Sequence, residues 1–209
     1  MHLLIKGNNG LSMYWMHLEV DSNAKLRDLD AFLRGIWVEC CGHLSMFEID
    51  DKTYSVEPQE EYDDKSMNVK LGSMLRAGMK FSYEYDFGTT TSLDLKVVST
   101  HHPSWLSGRE GKFELLARNE QPAIQCGACG KKFATNVCSD CVFDGEEGWL
   151  CNDCSKKHEC GEEMLLPVVN SPRVQDLGKW LDGIVTNITA ANLCWLSSFV
   201  SVTQSIRFD

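Results

Sequence analysis

Eight soft metal ligands lie between residues 126 and 160, and this cluster constrains the fold of the 209-residue chain more than any other feature. Zn2+ in structural sites takes four tetrahedral thiolate or imidazole ligands, and a CxxC turn presents two sulfurs to one ion. Three CxxC pairs and one HxC pair therefore predict two closed zinc sites in a small module, residues 119–170. The predicted ligands are Cys126, Cys129, Cys138, Cys141, Cys151, Cys154, His158 and Cys160.

The four pairs can be assigned to two ions in two ways. Consecutive pairing gives the first two pairs one ion and the last two the other. Interleaved pairing joins the first pair with the third and the second with the fourth. We favour interleaving, because four ligands crowded between Cys151 and Cys160 leave little chain to turn. An iron-sulfur cluster needs only four thiolates and would leave the HxC pair idle, so the ligand mixture favours two Zn2+ ions.

Residues 1–118 predict an α+β domain with a mainly antiparallel sheet. Apolar residues recur at helical spacing from Leu26 to Trp37, which predicts one long helix that stops by Gly42. Strands and turns alternate elsewhere, and such runs favour antiparallel pairing over a parallel α/β design. The predicted strands are Met13–Val20, His43–Ile49, Thr53–Val56, Met79–Tyr85, Ser92–Ser99 and Lys112–Arg118, with a short helix near Lys70–Arg76 and a solvated acidic loop at 57–66.

Residues 171–209 form a separate tail, which predicts one or two helices packed on the body. Its uncharged stretch, 183–206, resembles a membrane span in composition. Asn187, Asn192 and Gln204 interrupt the apolar run, and a span needs about 20 consecutive apolar residues. We therefore expect no membrane span at 184–206.

Charge points to the class of partner. The formal net charge is -10, and residues 119–170 carry nine Asp and Glu against four Lys and Arg. Phosphate backbones are bound by basic surfaces, so nucleic-acid binding is disfavoured and a protein partner with a basic surface is expected. Met1–Asn9 shows no export signal, and with ten cysteines this predicts reduced thiols and a cytoplasmic location.

Three segments carry a family resemblance: Tyr83–Gly88, Leu26–Leu33 and His43–Phe47. Together they resemble the plasmid pRiA4b ORF-3-like family over roughly residues 10–118. The resemblance implies an α+β fold and no established enzymatic activity, and some members are described as passenger proteins of transposable elements. A subset of the family is similar beyond that region, with a strand like Phe113–Asn119, a cysteine cluster and a segment like Leu166–Arg173.

This chain departs from that family at two points. Many members continue the YDFG motif with Asp and an aromatic residue, where this chain has Thr89, Thr90 and Thr91. The resemblance also implies a short ending soon after Val174, whereas the chain continues to Asp209.

The sequence predicts a non-enzymatic interaction or adaptor protein with no catalytic residue. The rival interpretation is an enzyme with a site between the domains that uses Asp86, His101 or His102 as acid-base groups. Cys40 and Cys41 near His43 are expected to be buried core thiols rather than nucleophiles. A mobile-element protein associated with nucleic acid is the third interpretation, through local basic patches at Lys131/Lys132 or Lys156/Lys157.

Overall fold

The computed structural model describes residues 1–38, 42–88, 90–100, 112–144 and 146–173. The strands within these ranges are β1 His2–Gly7, β2 Trp15–Val20, β3 Ser45–Ile49, β4 Lys52–Ser55, β5 Lys65–Ser66, β6 Lys80–Tyr85, β7 Thr91–Ser99, β8 Phe113–Arg118, β9 Asn136–Cys138, β10 Trp149–Leu150 and β11 Leu165–Pro167. The α-helices are α1 Leu26–Leu33, α2 Leu71–Met74, α3 Ser139–Phe143 and α4 Asn152–Ser155. A π-helical segment, Arg34–Val38, continues α1, and 3-10 turns cover Glu60–Tyr62 and Glu162–Met164.

Eight strands form one sheet in the order β5-β4-β3-β6-β7-β1-β2-β8. Its neighbours pair antiparallel except β4 and β5, which are parallel. Side chains alternate between the two faces of a strand, so every second residue faces the core. In β7, for example, Leu93, Leu95 and Val97 are buried while Asp94 and Lys96 are exposed. The predicted α+β class with a mainly antiparallel sheet is confirmed.

Helix α1 covers the buried face of this sheet. Leu26, Leu29 and Leu33 are fully buried along one side of the helix, and Phe32 stacks on Phe113 of β8 with ring centroids 5.2 Å apart. The N-terminus of this helix is capped. The backbone N–H of Lys25 donates to Asp28 Oδ2 at 2.7 Å, which satisfies one of the free donors at the helix end. The helix thus holds its apolar stripe against the sheet.

The prediction of one long helix is not confirmed. The α-helix ends at Leu33 and the chain is wound as a π-helix over Arg34–Val38. A π-helix bonds i to i+5 and is wider than an α-helix, so it changes which residues share a face. Trp37 and Val38 are the buried residues of this segment.

The first strand was not predicted, yet it is central. Strand β1 lies between β7 and β2 and pairs antiparallel with both. Leu3 and Ile5 are fully buried on its core side, whereas Lys6 is exposed on the other. The apolar residues Leu3–Ile5 therefore belong to an interior strand of the sheet.

A second sheet of three strands, in the order β10-β9-β11, lies in the cysteine-rich module. The chain leaving the large sheet and the chain returning to it run close together. Arg118 Nη2 donates to the carbonyl of Asn170 at 2.6 Å, and Gln121 Nε2 donates to the carbonyl of Val168 at 3.0 Å. The module is therefore fastened to the body at both of its ends. The boundaries 1–118, 119–170 and 171–209 remain predictions.

Several sequence predictions concern residues outside the described part of the chain. The predicted tail helices after Val174 are among them, as is the apolar stretch 184–206. Within the described ranges, no helix has both the length and the apolar character needed to cross a membrane.

Candidate metal centre

The first ligand group joins the first and third cysteine pairs. The ligand atoms of Cys126, Cys129, Cys151 and Cys154 all lie within 4.8 Å of one another, and the sulfurs of Cys129 and Cys151 are 4.0 Å apart. The first pair sits on a tight turn that Gly130 completes at φ 59°, in the left-handed region that glycine adopts without strain. We call these four residues tetrad 1.

The second group joins the second and fourth pairs. The ligand atoms of Cys138, Cys141, His158 and Cys160 also lie within 4.8 Å of one another. The sulfur of Cys141 is 3.3 Å from Nε2 of His158 and 3.7 Å from the sulfur of Cys160. We call these four residues tetrad 2. All eight predicted ligands thus fall into two groups of four, and their role in metal binding remains a prediction at this point.

The grouping is interleaved along the chain, as the sequence analysis favoured. Between the two pairs of tetrad 1 the chain passes through Cys138 and Cys141 of tetrad 2. Strand β9 delivers Cys138, and Cys151 follows β10 directly, so the small sheet carries a ligand of each tetrad. Neither tetrad can be assembled without the chain that builds the other.

Backbone hydrogen bonds hold the cysteine turns against this sheet. The N–H of Gly127 donates to the carbonyl of Trp149 at 2.8 Å, and the N–H of Cys126 donates to the carbonyl of Lys132 at 2.9 Å. In tetrad 2, the N–H of Cys138 donates to the carbonyl of Gly148 at 2.8 Å. The first ligand pair and the strands beside it therefore form one hydrogen-bonded unit.

The thiols of tetrad 1 are unequal in acidity. Burial raises the pKa of Cys126, but backbone hydrogen bonds at Cys151 and Cys129 outweigh it and lower that pKa to about 6. Hydrogen bonding with Cys151, together with burial, raises the pKa of Cys154 to about 12. Four thiolates this close repel one another, so some thiols keep their protons unless a cation compensates the charge.

Tetrad 2 shows the same behaviour. Burial raises the pKa of Cys141 to about 12, and hydrogen bonds with Cys138 and Cys160 act in the same direction. A divalent cation would remove this penalty, because metal coordination requires and stabilises the deprotonated thiol. Sets of four thiolates and of three thiolates with one imidazole match the ligand sets of structural zinc sites.

The residues of the rival enzyme interpretation fall elsewhere. Asp86 lies just after β6 with φ 62°, and its Oδ1 accepts from the N–H of Gly88 at 3.0 Å. Its Oδ2 is 2.5 Å from Nη2 of Arg173 and 3.6 Å from Nε2 of His43. The carboxylate is thus engaged in a buried ion pair. His101, His102, Cys40 and Cys41 lie outside the described residues.

A buried polar network next to this ion pair was not predicted. Asp30 of α1 accepts hydrogen bonds from Tyr83 at 2.9 Å and Ser45 at 2.6 Å, and pairs with Nε of Arg34 at 2.9 Å. Burial, followed by the charge of Asp30, raises the pKa of Tyr83 well above its usual range. The i, i+4 spacing of Asp30 and Arg34 was visible in the sequence, but that spacing does not show whether the pair is buried.

Arg173 was also missed as a buried cation, and it had no local signal. Its guanidinium contacts residues about 87 positions away, and such a contact follows only from the tertiary fold. The neighbouring Ser171 is also buried, and its Oγ donates to the backbone carbonyl of Trp37. The three residues Ser171–Arg173, which we call the strap, therefore pack into the α+β body.

Comparison with known proteins gives one family match. The family model described as "Plasmid pRiA4b ORF-3-like protein" matches residues 5–128. No curated protein matches the sequence. Among solved structures, the crystal structure of a protein of unknown function from Methanosarcina mazei Go1 is similar, with 17% identity and a TM-score of 0.46. That match covers 56% of this chain and 67% of the other.

Proposed function

This chain belongs to the plasmid pRiA4b ORF-3-like family, and from that premise we propose that it is a non-enzymatic zinc protein whose cysteine-rich module recognises a protein partner. The observation that carries the proposal is the interleaved assembly of two complete four-ligand groups. Closed four-ligand sites leave no open position for substrate, so their role is to hold a fold.

Zinc is the ion that the donor atoms favour. Tetrad 1 offers four thiolates, and tetrad 2 offers three thiolates and the imidazole of His158. Soft sulfur ligands with an imidazole suit Zn2+ better than hard cations such as Mg2+. The module has short strands and helices of four or five residues, so metal binding would supply much of its folding free energy.

The acidic face of the module would provide the recognition surface. Most of its carboxylates are exposed, and several flank the ligands of tetrad 2 in sequence: Asp140, Asp144, Glu159, Glu162 and Glu163. Binding two Zn2+ ions to seven thiolates and one imidazole makes the module more negative still, because each ion offsets only two thiolate charges. A partner with a basic patch would be attracted, and the association would weaken as salt rises. We place this activity in the cytoplasm, where thiols stay reduced.

The zinc part of the proposal is tested by metal content. Elemental analysis of the full chain purified without added zinc should give two zinc ions per chain. Cys151→Ser should remove the ion of tetrad 1 and Cys138→Ser that of tetrad 2, so each variant should retain one ion or fewer. Cys194→Ser, remote in sequence from the module, is the matched control and should retain two. Iron, or full metal content in both ligand variants, would overturn the proposal.

Interleaving is tested with Co2+ in place of zinc. A four-thiolate site and a three-thiolate, one-imidazole site differ in sulfur count, and thiolate charge-transfer absorption scales with that count. Loss of the Co2+ site in Cys129→Ser should match the loss in Cys154→Ser. Under consecutive pairing, Cys129→Ser would instead match Cys141→Ser.

The partner surface is tested with a synthetic peptide rich in lysine and arginine, and with a DNA duplex of similar length. The zinc-loaded chain should bind the peptide and not the DNA, with affinity falling as salt rises. Glu162→Lys/Glu163→Lys should weaken peptide binding. The control Glu57→Lys/Glu61→Lys makes the same charge change at exposed positions of the α+β body and should have a smaller effect. Equal effects of both double variants would contradict a surface on the module.

A further inference from the structure

The corner of the large sheet between β6 and β7 holds a buried guanidinium. Arg173 is 3% exposed and Asp86 is 8% exposed, so both charges are withdrawn from water. Arg173 Nη2 is 2.5 Å from Asp86 Oδ2, and its Nη1 donates to Thr91 Oγ1 at 3.2 Å. Its Cζ lies 5.3 Å from the ring centroid of Tyr85. An anion, a hydroxyl and an aromatic ring thus contact one guanidinium, which is the set of groups that an arginine head prefers.

The carboxylate of this site is oriented by its own turn. Asp86 adopts φ 62°, and its N–H donates to the carbonyl of Leu44 at 2.9 Å. The N–H of Gly88 donates to Asp86 Oδ1, which leaves Oδ2 directed at the guanidinium. None of these turn contacts involves Arg173, so the turn can hold the carboxylate in place by itself.

The other two walls are set by strands. Tyr85 of β6 and Thr91 of β7 are register partners, and both are fully buried. The Tyr85 hydroxyl accepts from the N–H of His43 at 3.2 Å, and Arg34 lies over the Tyr85 ring with Cζ 4.9 Å from its centroid. The ring and the hydroxyl are therefore positioned by the α+β body.

The guanidinium, in contrast, arrives on a segment outside the large sheet. The strap Ser171–Arg173 follows β11 of the cysteine-rich module, and the Ser171 hydroxyl anchors it at the carbonyl of Trp37. One part of the chain builds the walls and another supplies the ligand. A binding site occupied by a ligand from the same chain has this arrangement.

We propose that Asp86, Tyr85 and Thr91 form a guanidinium-binding site, that Arg173 is its resident ligand, and that an arginine side chain of a protein partner can occupy the same site. Without Arg173 the buried carboxylate of Asp86 loses its permanent cation, although the imidazole of His43 stays 3.6 Å from Oδ2. A buried carboxylate that has lost its cation is strongly unfavourable, so the vacated site would attract a replacement. A guanidinium fits better than an ammonium because its planar fork reaches two acceptors while its face lies against a ring. The site is independent of the zinc proposal, since no metal ligand contributes to it.

Chemical rescue of a vacated site tests this directly. The full zinc-loaded chain with Arg173→Ala is heated with N-ethylguanidinium or with ethylammonium at matched concentrations below the denaturing range. N-ethylguanidinium should raise the Tm saturably, by about 3–6 °C at a tenfold excess over its Kd. Ethylammonium should not. Arg173→Ala/Asp86→Asn should lose the rescue, and Arg76→Ala, which removes an exposed arginine, should show none. Equal responses to both cations, or rescue that survives in the double variant, would overturn the site.

A second measurement applies if Arg173→Ala does not remain folded, and a third addresses the partner. Recovery of this variant on refolding should be higher with N-ethylguanidinium than with ethylammonium, and equal recoveries would count against the proposal. Binding in trans is measured with the peptides Ala-Arg-Ala and Ala-Lys-Ala. Arg173→Ala should bind the arginine peptide at least about tenfold more tightly than the wild-type chain does, and should discriminate against the lysine peptide. If Arg173→Ala and the wild-type chain bind the arginine peptide equally, the site does not accept an arginine from a partner, and that part of the proposal is wrong.

Discussion

Asn119 and Asn170 hydrogen-bond each other twice at the base of the cysteine-rich module. Asn170 Nδ2 donates to the carbonyl of Asn119 at 2.7 Å, and Asn119 Nδ2 donates to Asn170 Oδ1 at 2.9 Å. Asn119 also accepts the N–H of Trp15 on its own Oδ1, at 2.9 Å. One pair of amides thus joins the chain leaving the body, the chain returning to it and strand β2.

Asn170→Ala should therefore destabilise the protein without removing metal. The substitution deletes two hydrogen bonds and leaves the partly buried carbonyl of Asn119 without its donor, although Asn119 Nδ2 still donates to the carbonyl of Glu120 at 2.8 Å. The loss should cost about 1–3 kcal/mol of unfolding free energy. The urea midpoint followed by circular dichroism measures the loss, and elemental analysis should give the same metal content as the wild type. Asn23→Ala removes an exposed amide and should change stability by no more than about 0.5 kcal/mol. If the urea midpoint of Asn170→Ala equals that of Asn23→Ala, the amide pair does not stabilise the protein.

Tyr83→Phe should change the alkaline dependence of stability. The raised pKa of Tyr83 means that its contribution is fully present below the unfolded tyrosine pKa of about 10, and is lost as pH rises through the higher folded pKa. At neutral pH the substitution removes a hydrogen bond to the Asp30 carboxylate and should cost about 1.5–3 kcal/mol. Above about pH 10 the wild type should lose up to about 1.4 kcal/mol per pH unit from this group, so the two proteins should converge.

Urea midpoints between neutral and strongly alkaline pH measure that convergence. Tyr62→Phe is the matched control, because it removes the same hydroxyl from a side chain that is 69% exposed. The urea midpoint of Tyr62→Phe should change with pH in the same way as that of the wild type. A difference in urea midpoint between Tyr83→Phe and the wild type that stays the same at every pH would contradict a raised pKa of Tyr83.

Gly148→Ala should weaken tetrad 2 selectively. A Cβ on Gly148 would lie 2.6 Å from the carbonyl oxygen of Cys138 and would also clash with Val142 Cγ2. The strand that carries Cys138 would have to shift, and overpacking of this kind costs about 1–3 kcal/mol. Competition with a chelator should show that one of two ions is held at least about fivefold less tightly. Gly35→Ala, where a Cβ meets nothing within 4 Å, should leave both affinities unchanged.

The sequence was most informative where the chemistry is local. A CxxC turn brings its two sulfurs together within four residues, so Cys126 and Cys129 are neighbours in any fold. The crowding between Cys151 and Cys160 then favoured the interleaved grouping that the structure has. Strands such as β7 were predictable because a half-buried strand alternates apolar and polar residues.

Contacts between distant segments explain part of what the sequence left out. Arg173 and Asp86 are 87 residues apart, and no local pattern marks either as half of an ion pair. The burial of Asp30 was not predicted, because apolar periodicity marks the core positions of a helix and gives no sign of a charge that has a buried partner. The π-helix after Leu33 was missed because apolar spacing does not distinguish a 3.6-residue turn from a wider one over five residues. Strand β1 was not predicted, because Leu3, Leu4 and Ile5 are consecutive apolar residues and do not show the alternation of a half-buried strand.

The pKa of His17, finally, should depend on its contact with His2. They lie diagonally on β1 and β2, with His2 Nε2 2.8 Å from His17 Nδ1, so at most one of these nitrogens carries the proton between them. Burial lowers the pKa of His17, and the positive charges of His2 and Lys6 lower it further. The folded state thus binds this proton less readily than the unfolded state does. The corresponding stability is present above the unfolded histidine pKa of about 6.5 and is lost as pH falls below it.

Histidine side-chain NMR on the zinc-loaded chain measures the pKa of His17 directly, without interference from metal loss in a global unfolding assay. The pKa of His17 should lie below 6.5 in the wild type. His2→Gln should raise it, Lys6→Gln should raise it by less, and neither should restore it fully, because burial is the largest cause. His158 provides an internal control, since its signal should respond to metal and not to either substitution. A His17 pKa at or above the ordinary value, or a larger effect of Lys6→Gln than of His2→Gln, would contradict the pairing.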